Sequence, residues 1–255
     1  MIALIKNTKH FSHNYVSMTY NSSNILMSIT KSSSHKEGVK DINSEVQGLD
    51  WYNERSSNKL SYEVCRVSES YISLRIKALD KIEIPGMCSY SNYKDLIFSV
   101  VRHYCEVWNK ETNGKNACAL HGDLSLVGNI LFVDLNSPVF IDWEHFDKNA
   151  APIGFDALNC ILELLYYEDL NDINLLHSNL RHVSEMMSFL DSKKCLDKVF
   201  YNSPLLSMTD FMRKNSHLWG SQIDKFPVLN FSKDQVVYID NYLNKVSSLV
   251  GYEKC

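Results

Sequence analysis

"HGDLSLVGN" (121–129) and "FIDWE" (140–144) decide how this chain reads. A buried strand has no packing reason to end in His, Gly and Asp, or to lead through a hairpin to a second Asp at 142. Asp123, on a tight turn, can orient a hydroxyl or accept its proton. Asn129 adds an amide oxygen, and Asp142 adds a carboxylate at the end of the hairpin's return strand. The turn "LNSP" (135–138) folds the chain back, so Asn129 and Asp142 lie near the same end of the two strands. Hard oxygen donors of this kind suit Mg²⁺, which keeps several waters and takes further ligands from phosphates. A base and a two-ligand clamp in one cleft are parts that in-line phosphoryl transfer needs.

Upstream of this signature the sequence reads mostly as strand. "ALIKNTK", "YVSMTYN" and "NILMSITK" are short β-branched or aromatic segments, separated by "HFSHN" and the turn-like "NSSN". Ile42, Val46, Leu49 and Tyr52 then recur at helical spacing, with Asp41 placed as an N-cap. "YEVCRVSESYISLRIKAL" follows as a hairpin turning near Ser68 to Ser70. The predicted order is three strands, one helix and two strands. The Pro-Gly break in "EIPGMCSYSN" (83–92) marks a boundary between a β-rich part (1–84) and a helical part (85–255). Beyond it, Tyr93, Leu96, Ile97, Val100, Val101, Tyr104, Val107 and Trp108 share one helical face. "FDALNCILELLYYE" and the stretch from about 172 to 191 read as further helices. Ser232 and Gln235 form a capping box that opens the last one, with Phe231 and Val236 as a staple.

Bulk properties narrow the function class. The chain has 255 residues, is 45% hydrophobic and carries a net charge of −4. That is enough for a substantial core, and it gives no general attraction to nucleic acid or an anionic membrane surface. The seven cysteines contain no C-x-x-C pair, which favours a reducing cytoplasm over a disulfide framework or a zinc ribbon. "MIALIKNTKH" has too short an apolar run for a signal peptide, and no stretch is long and apolar enough for a membrane span. The expectation is a soluble cytoplasmic protein.

"HGD", an asparagine a few residues on, a hydrophobic hairpin and "IDWE" resemble the aminoglycoside phosphotransferase and choline kinase superfamily. The resemblance implies an α+β, bilobal protein-kinase-like fold: a small antiparallel β-sheet N-lobe with one helix, and a mainly helical C-lobe. It implies ATP and Mg²⁺ as cofactors, Asp123 as catalytic base, and Asn129 and Asp142 as metal ligands. It also implies a strand lysine paired with a glutamate on the following helix, to hold the nucleotide phosphates. Lys31 and Glu45 occupy those places, with Lys36, Lys40 and Glu54 as less well-placed substitutes. The plain alternative is that Lys31 and Glu45 are ordinary solvated charges. Asp156 resembles the acid that ties down the catalytic loop, and equally reads as a helix N-cap. His121 reads as a brace for its own loop. Glu144 and His145 face metal or substrate in one reading and solvent in the other.

The sequence departs from the family in two places. Five residues, "LSLVG", separate Asp123 from Asn129, one more than the family's usual spacing. Gly128 offers a bulge through positive φ to absorb the extra residue. No glycine precedes residue 38, so a Gly-rich phosphate loop is missing. "HFSHN" would cover the phosphates with backbone N–H groups and Ser12. The expected partner is a small-molecule hydroxyl acceptor: a sugar or polysaccharide intermediate, an amino alcohol, or an aminoglycoside. For a cationic acceptor, Glu163, Glu168, Asp169, Asp172, Tyr166 and Tyr167 are candidate pocket residues. The rival class is a kinase-like protein that binds nucleotide or a partner without turnover.

Overall fold

The computed structural model describes residues 4–11, 13–79, 90–109, 117–126, 128–165 and 173–252. The fold is α+β. Its first part comprises β1 (Leu4–Phe11), β2 (Asn14–Tyr20), β3 (Leu26–Ser33), α1 (Lys36–Arg55), β4 (Tyr62–Ser68) and β5 (Tyr71–Lys77). The five strands form one sheet in the order β1-β2-β3-β5-β4, and every neighbouring pair is antiparallel. Lys31 pairs with Val16 on one side and Leu74 on the other, so it sits in the middle of the sheet.

α1 packs its apolar stripe on the core, with Ile42, Leu49 and Tyr52 almost fully buried. It begins earlier than its capping signal predicts. His35 takes the N-cap position without a side-chain cap, and Asp41 lies inside the helix. Packing accounts for the early start. A Cβ on Gly38 would stand 2.7 Å from the His13 carbonyl oxygen, so the first turn of α1 lies directly against the β1–β2 turn. Tertiary contact outweighs local capping preference here.

The second part contains α2 (Tyr90–Trp108), β6 (Cys118–Leu120), β7 (Ile130–Phe132), β8 (Pro138–Phe140), β9 (Asp147–Ala151), α3 (Phe155–Leu162), α4 (Ile173–Ser192), α5 (Pro204–Lys214) and α6 (Lys233–Tyr252). β7 and β8 make the hairpin inside the signature, with Ile130 opposite Phe140. β6 pairs with β9, which closes the segment from His121 to Phe146 into a loop anchored at both ends. α2 buries Ile97, Val100, Val101, Val107 and Trp108 completely; each side chain of this size contributes about 1.5–3 kcal/mol of burial. The α6 capping box forms, since the Ser232 N–H donates to Gln235 Oε1 at 2.8 Å and the Gln235 N–H donates to Ser232 Oγ at 3.2 Å.

The stretch from 198 to 230, which carries no strong periodicity, holds α5 and a run of 3₁₀ turns between Ser216 and Asn230. Gly220 and Pro227 break that run, so no long helix forms. The Pro85–Gly86 break and the boundary at 84/85 lie outside the described residues. Among the described residues, no helix is long and apolar enough to cross a membrane.

Candidate active site

Three separate segments bring charge to one point. Lys31 comes from β3, Glu45 from the middle of α1, and Asp142 from the residues just after β8. The Lys31 ammonium lies 2.8 Å from Glu45 Oε2 and 2.5 Å from Asp142 Oδ1. Glu45 is 1% exposed, and its other carboxylate oxygen has no hydrogen-bond partner among the described residues. Burial works against the Lys31 ammonium, but Glu45 and Asp142 outweigh it and hold its pKa above the ordinary value. Burial also opposes charge on Asp142, yet Lys31 keeps that carboxyl below its usual range. Burial pushes Glu45 up to about 7, against the pull of Lys31. Buried ion clusters contribute little net stability because desolvation offsets their attraction, so packing economy does not explain this one. Clusters of strongly perturbed groups concentrate at functional sites.

Asp142 reaches this point through an uncommon backbone. Its φ is 64°, a left-handed conformation that aspartate tolerates better than most residues. The next residue secures it. Trp143 is fully buried, its indole N–H donates to the Phe140 carbonyl at 3.0 Å, and its ring lies against Trp51, Tyr52, Trp108 and His121. A Cβ on Gly48 would fall 2.5 Å from Trp143 Cβ. The helix that carries Glu45 therefore rests on the segment that carries Asp142.

The loop that carries Asp123 is held through its backbone by buried side chains. Asp156 accepts hydrogen bonds from the N–H groups of His121 and Gly122 at 2.8 and 2.9 Å. The carboxylate of Glu163 accepts from the Leu126 N–H at 3.0 and 3.2 Å, and from the Tyr93 hydroxyl at 3.0 Å. The Asn159 amide donates to the Leu124 carbonyl at 3.2 Å, and the Trp219 indole donates to the Gly122 carbonyl at 2.5 Å. Asp156 is not the N-cap of α3, where Gly154 stands. His121 is fully buried, with Nε2 2.9 Å from the Ile141 carbonyl and Nδ1 accepting from the Asp123 N–H at 3.4 Å. Burial lowers its pKa to about 4, so near neutrality it is an uncharged brace that links the Asp123 turn to the residue before Asp142.

Asp123 itself is partly exposed. Burial pushes its carboxyl up to about 6, against the opposing influence of His145 and a hydrogen bond from Asn129. The Asn129 amide also donates to the Asp123 carbonyl at 2.6 Å, which leaves its oxygen uncommitted by that bond. The Ile141 N–H donates to the Asn129 carbonyl at 3.0 Å, so Asn129 stands across the hairpin from Ile141, one residue before Asp142. A hard-donor set of one amide oxygen and one ionised carboxylate at the open end of a hairpin fits Mg²⁺.

The structure corrects the expectation for Gly128. Its φ is not positive, and among the described residues a Cβ there would meet only Ser125 Oγ, at 3.9 Å. The longer loop is instead absorbed by a helical turn, in which the Asn129 N–H donates to the Ser125 carbonyl at 3.0 Å. An i→i+4 hydrogen bond closes over the extra residue, with no positive φ at Gly128.

Other candidates fall as follows. Ser12 lies outside the described residues, as do Tyr166, Tyr167, Glu168, Asp169 and Asp172. Glu163 is 4% exposed and holds the backbone of the Asp123 loop, so it does not line an acceptor pocket. Lys36 and Lys40 are exposed, and Glu54 pairs with Arg55 at 3.0 Å on the surface, so none joins the Lys31 cluster. Glu144 accepts from the Gln222 amide at 3.3 Å and stands 3.7 Å from His145 Nε2. Glu163, Asn159, Trp219 and Gln222 have no signature in the sequence, because each acts on a distant segment and three of the four act on its backbone.

No family model matches the chain, and no curated protein matches it. A solved structure described as WaaP in complex with acyl carrier protein is similar at 13% sequence identity, over 84% of this chain and 88% of that one, with a TM-score of 0.44.

Proposed function

We propose that the chain is an ATP- and Mg²⁺-dependent phosphotransferase with a bilobal protein-kinase-like fold, acting on a hydroxyl of a small molecule. Residues 1–84 form the nucleotide-binding lobe, and residues 85–255 form the lobe that carries the catalytic loop and metal ligands. One observation carries this reading: the Lys31 ammonium bridges Glu45 and Asp142 from three distant segments, beside the braced loop of Asp123. Asp123 holds the acceptor hydroxyl in line and takes its proton as the oxygen–phosphorus bond forms and the bond to the departing nucleotide diphosphate breaks. Lys31, fixed by Glu45, offsets charge on the nucleotide phosphates. Asn129 and Asp142 would hold Mg²⁺, which when bound neutralises phosphate charge. Asp156, His121, Glu163 and Trp219 keep the Asp123 turn in place, so the base needs little reorganisation.

The test is incubation with Mg-ATP and a panel of sugars, amino alcohols and aminoglycosides, with products read by mass spectrometry. A phosphorylated product that disappears in Asp123→Ala is the expected result. Nucleotide binding without any product across the panel would favour the binding-module reading. Asp142→Ala is expected to lose the Mg-ATP-dependent rise in melting temperature while still folding. That rise corresponds to about 2.7 kcal/mol at a hundredfold excess over Kd, and its survival in the variant would refute the metal role of Asp142.

A further inference from the structure

We propose that His13, His35 and Glu37 form a second metal site, for a first-row transition ion of the zinc type, independent of the phosphotransfer reading. His13 lies in the β1–β2 turn, His35 is the N-cap residue of α1, and Glu37 lies in the helix's first turn. His13 Nε2 and His35 Nδ1 each stand 3.3 Å from the same oxygen, Glu37 Oε2. The two imidazoles are stacked, with centroids 4.2 Å apart and planes 13° from parallel. One donor atom from each of the three residues lies within 4.8 Å of the others.

The backbone beneath these ligands is already organised. Ser33 is 1% exposed, and its hydroxyl joins both histidines: it donates to the His13 carbonyl at 2.6 Å and accepts from the His35 N–H at 3.1 Å. Gly38 completes the arrangement, because any Cβ there would stand 2.2 Å from Asn14 Oδ1 and 2.7 Å from the His13 carbonyl oxygen. The Ser33 hydrogen bonds and the close approach at Gly38 thus fix His13 and His35, which are 22 residues apart in sequence. The nitrogen–oxygen separations of 3.3 Å already suit two ligands of one tetrahedral ion, each bonded to it at about 2.0–2.2 Å.

The donor set matches the ion. Two imidazoles and one carboxylate are the ligands of open zinc sites, which keep a fourth position for water or an exogenous group. Imidazole suits Zn²⁺, Cu²⁺ and Ni²⁺ better than the hard ions that Asn129 and Asp142 suit. Each imidazole can offer one ring-nitrogen lone pair to a metal. Exposed ion pairs contribute only about 0–1 kcal/mol, so stability gives little reason for the three to converge. A bound ion would cross-link the β1–β2 turn to the start of α1.

The test uses the full chain stripped with a chelator and held in excess Mg²⁺, which occupies hard-donor sites. Co²⁺ is titrated by visible absorption, then displaced with Zn²⁺. A single equivalent with d–d bands is expected in the wild type. His13→Ala, His35→Ala and Glu37→Gln are each expected to weaken Zn²⁺ binding by about tenfold or more, while His177→Ala leaves it unchanged. All three ligands are exposed, and circular dichroism melts without metal verify that the variants fold. Wild-type affinity in both histidine variants, or no Co²⁺ bands in the wild type, overturns the proposal.

Discussion

The loop from His121 to Asn129 and the turn between β1 and β2 are fastened by different means. The loop is gripped by buried carboxylates, an amide and an indole, each bonded to its backbone. The β1–β2 turn rests on one serine hydroxyl and on the missing side chain of Gly38. Charge-assisted hydrogen bonds in dry surroundings hold atoms to a fraction of an ångström, as a reacting group requires. Close backbone contact keeps a segment near its neighbour but orients no reacting atom. The two regions should therefore fail differently when perturbed.

The largest expected effect is on the gripped loop. Asp123→Ala should lower phosphoryl transfer by about 10²–10⁴-fold while Mg-ATP still raises the melting temperature; turnover at the wild-type rate would remove Asp123 as the base. The same residue sets the pH dependence. Its carboxyl is raised to about 6 by burial, so it is protonated and unable to accept a proton below that pH. The wild-type rate should fall as pH drops through about 6, and a flat profile down to pH 5 would contradict the assignment.

Asp156→Asn comes next. Both carboxylate oxygens accept from N–H groups, and the amide would point its own N–H₂ at one of them. Leaving that buried donor unpaired should cost about 1–3 kcal/mol in urea unfolding, with a larger loss of activity than of stability. At the β1–β2 turn, Gly38→Ala should cost about 1–3 kcal/mol, because the His13 carbonyl oxygen cannot rotate away. Nucleotide affinity should fall more than turnover at saturation; an equal fall in both would show the turn to be as exacting as the loop. Gly128→Ala should be the mildest, within about 0.5 kcal/mol, since its φ is ordinary and its surroundings are open.

Much of the architecture was legible because it rests on local pattern. Alternation in the first strands, the stripes of α1 and α2 and the capping box of α6 are each written within a few residues. The meeting of Lys31, Glu45 and Asp142 was expected only through the resemblance to a kinase superfamily, since Glu45 lies in the middle of α1 and no local pattern marks it. Three features were not legible. α1 starts at Lys36, before Asp41, because contact at Gly38 decides its first turn. The Asn129–Ser125 bond replaces a glycine bulge, and no composition rule distinguishes the two. Glu163 looked like a pocket acid, yet it faces a backbone N–H 37 residues away. Long-range bonds from side chain to backbone leave no periodic trace.

All four tryptophans of the chain sit in the support of this site. Trp51, Trp108 and Trp143 lie within 6.2 Å of one another, and Trp219 grips the Gly122 carbonyl. Excitation energy will pass freely among the first three, so their emission behaves as one collective signal. That signal responds when α1 separates from the Asp142 segment, and Trp219 adds a second voice from the Asp123 turn. Intrinsic fluorescence thus reports on the candidate site with no label attached, and nucleotide or acceptor binding can be followed by colour and intensity before any product is known.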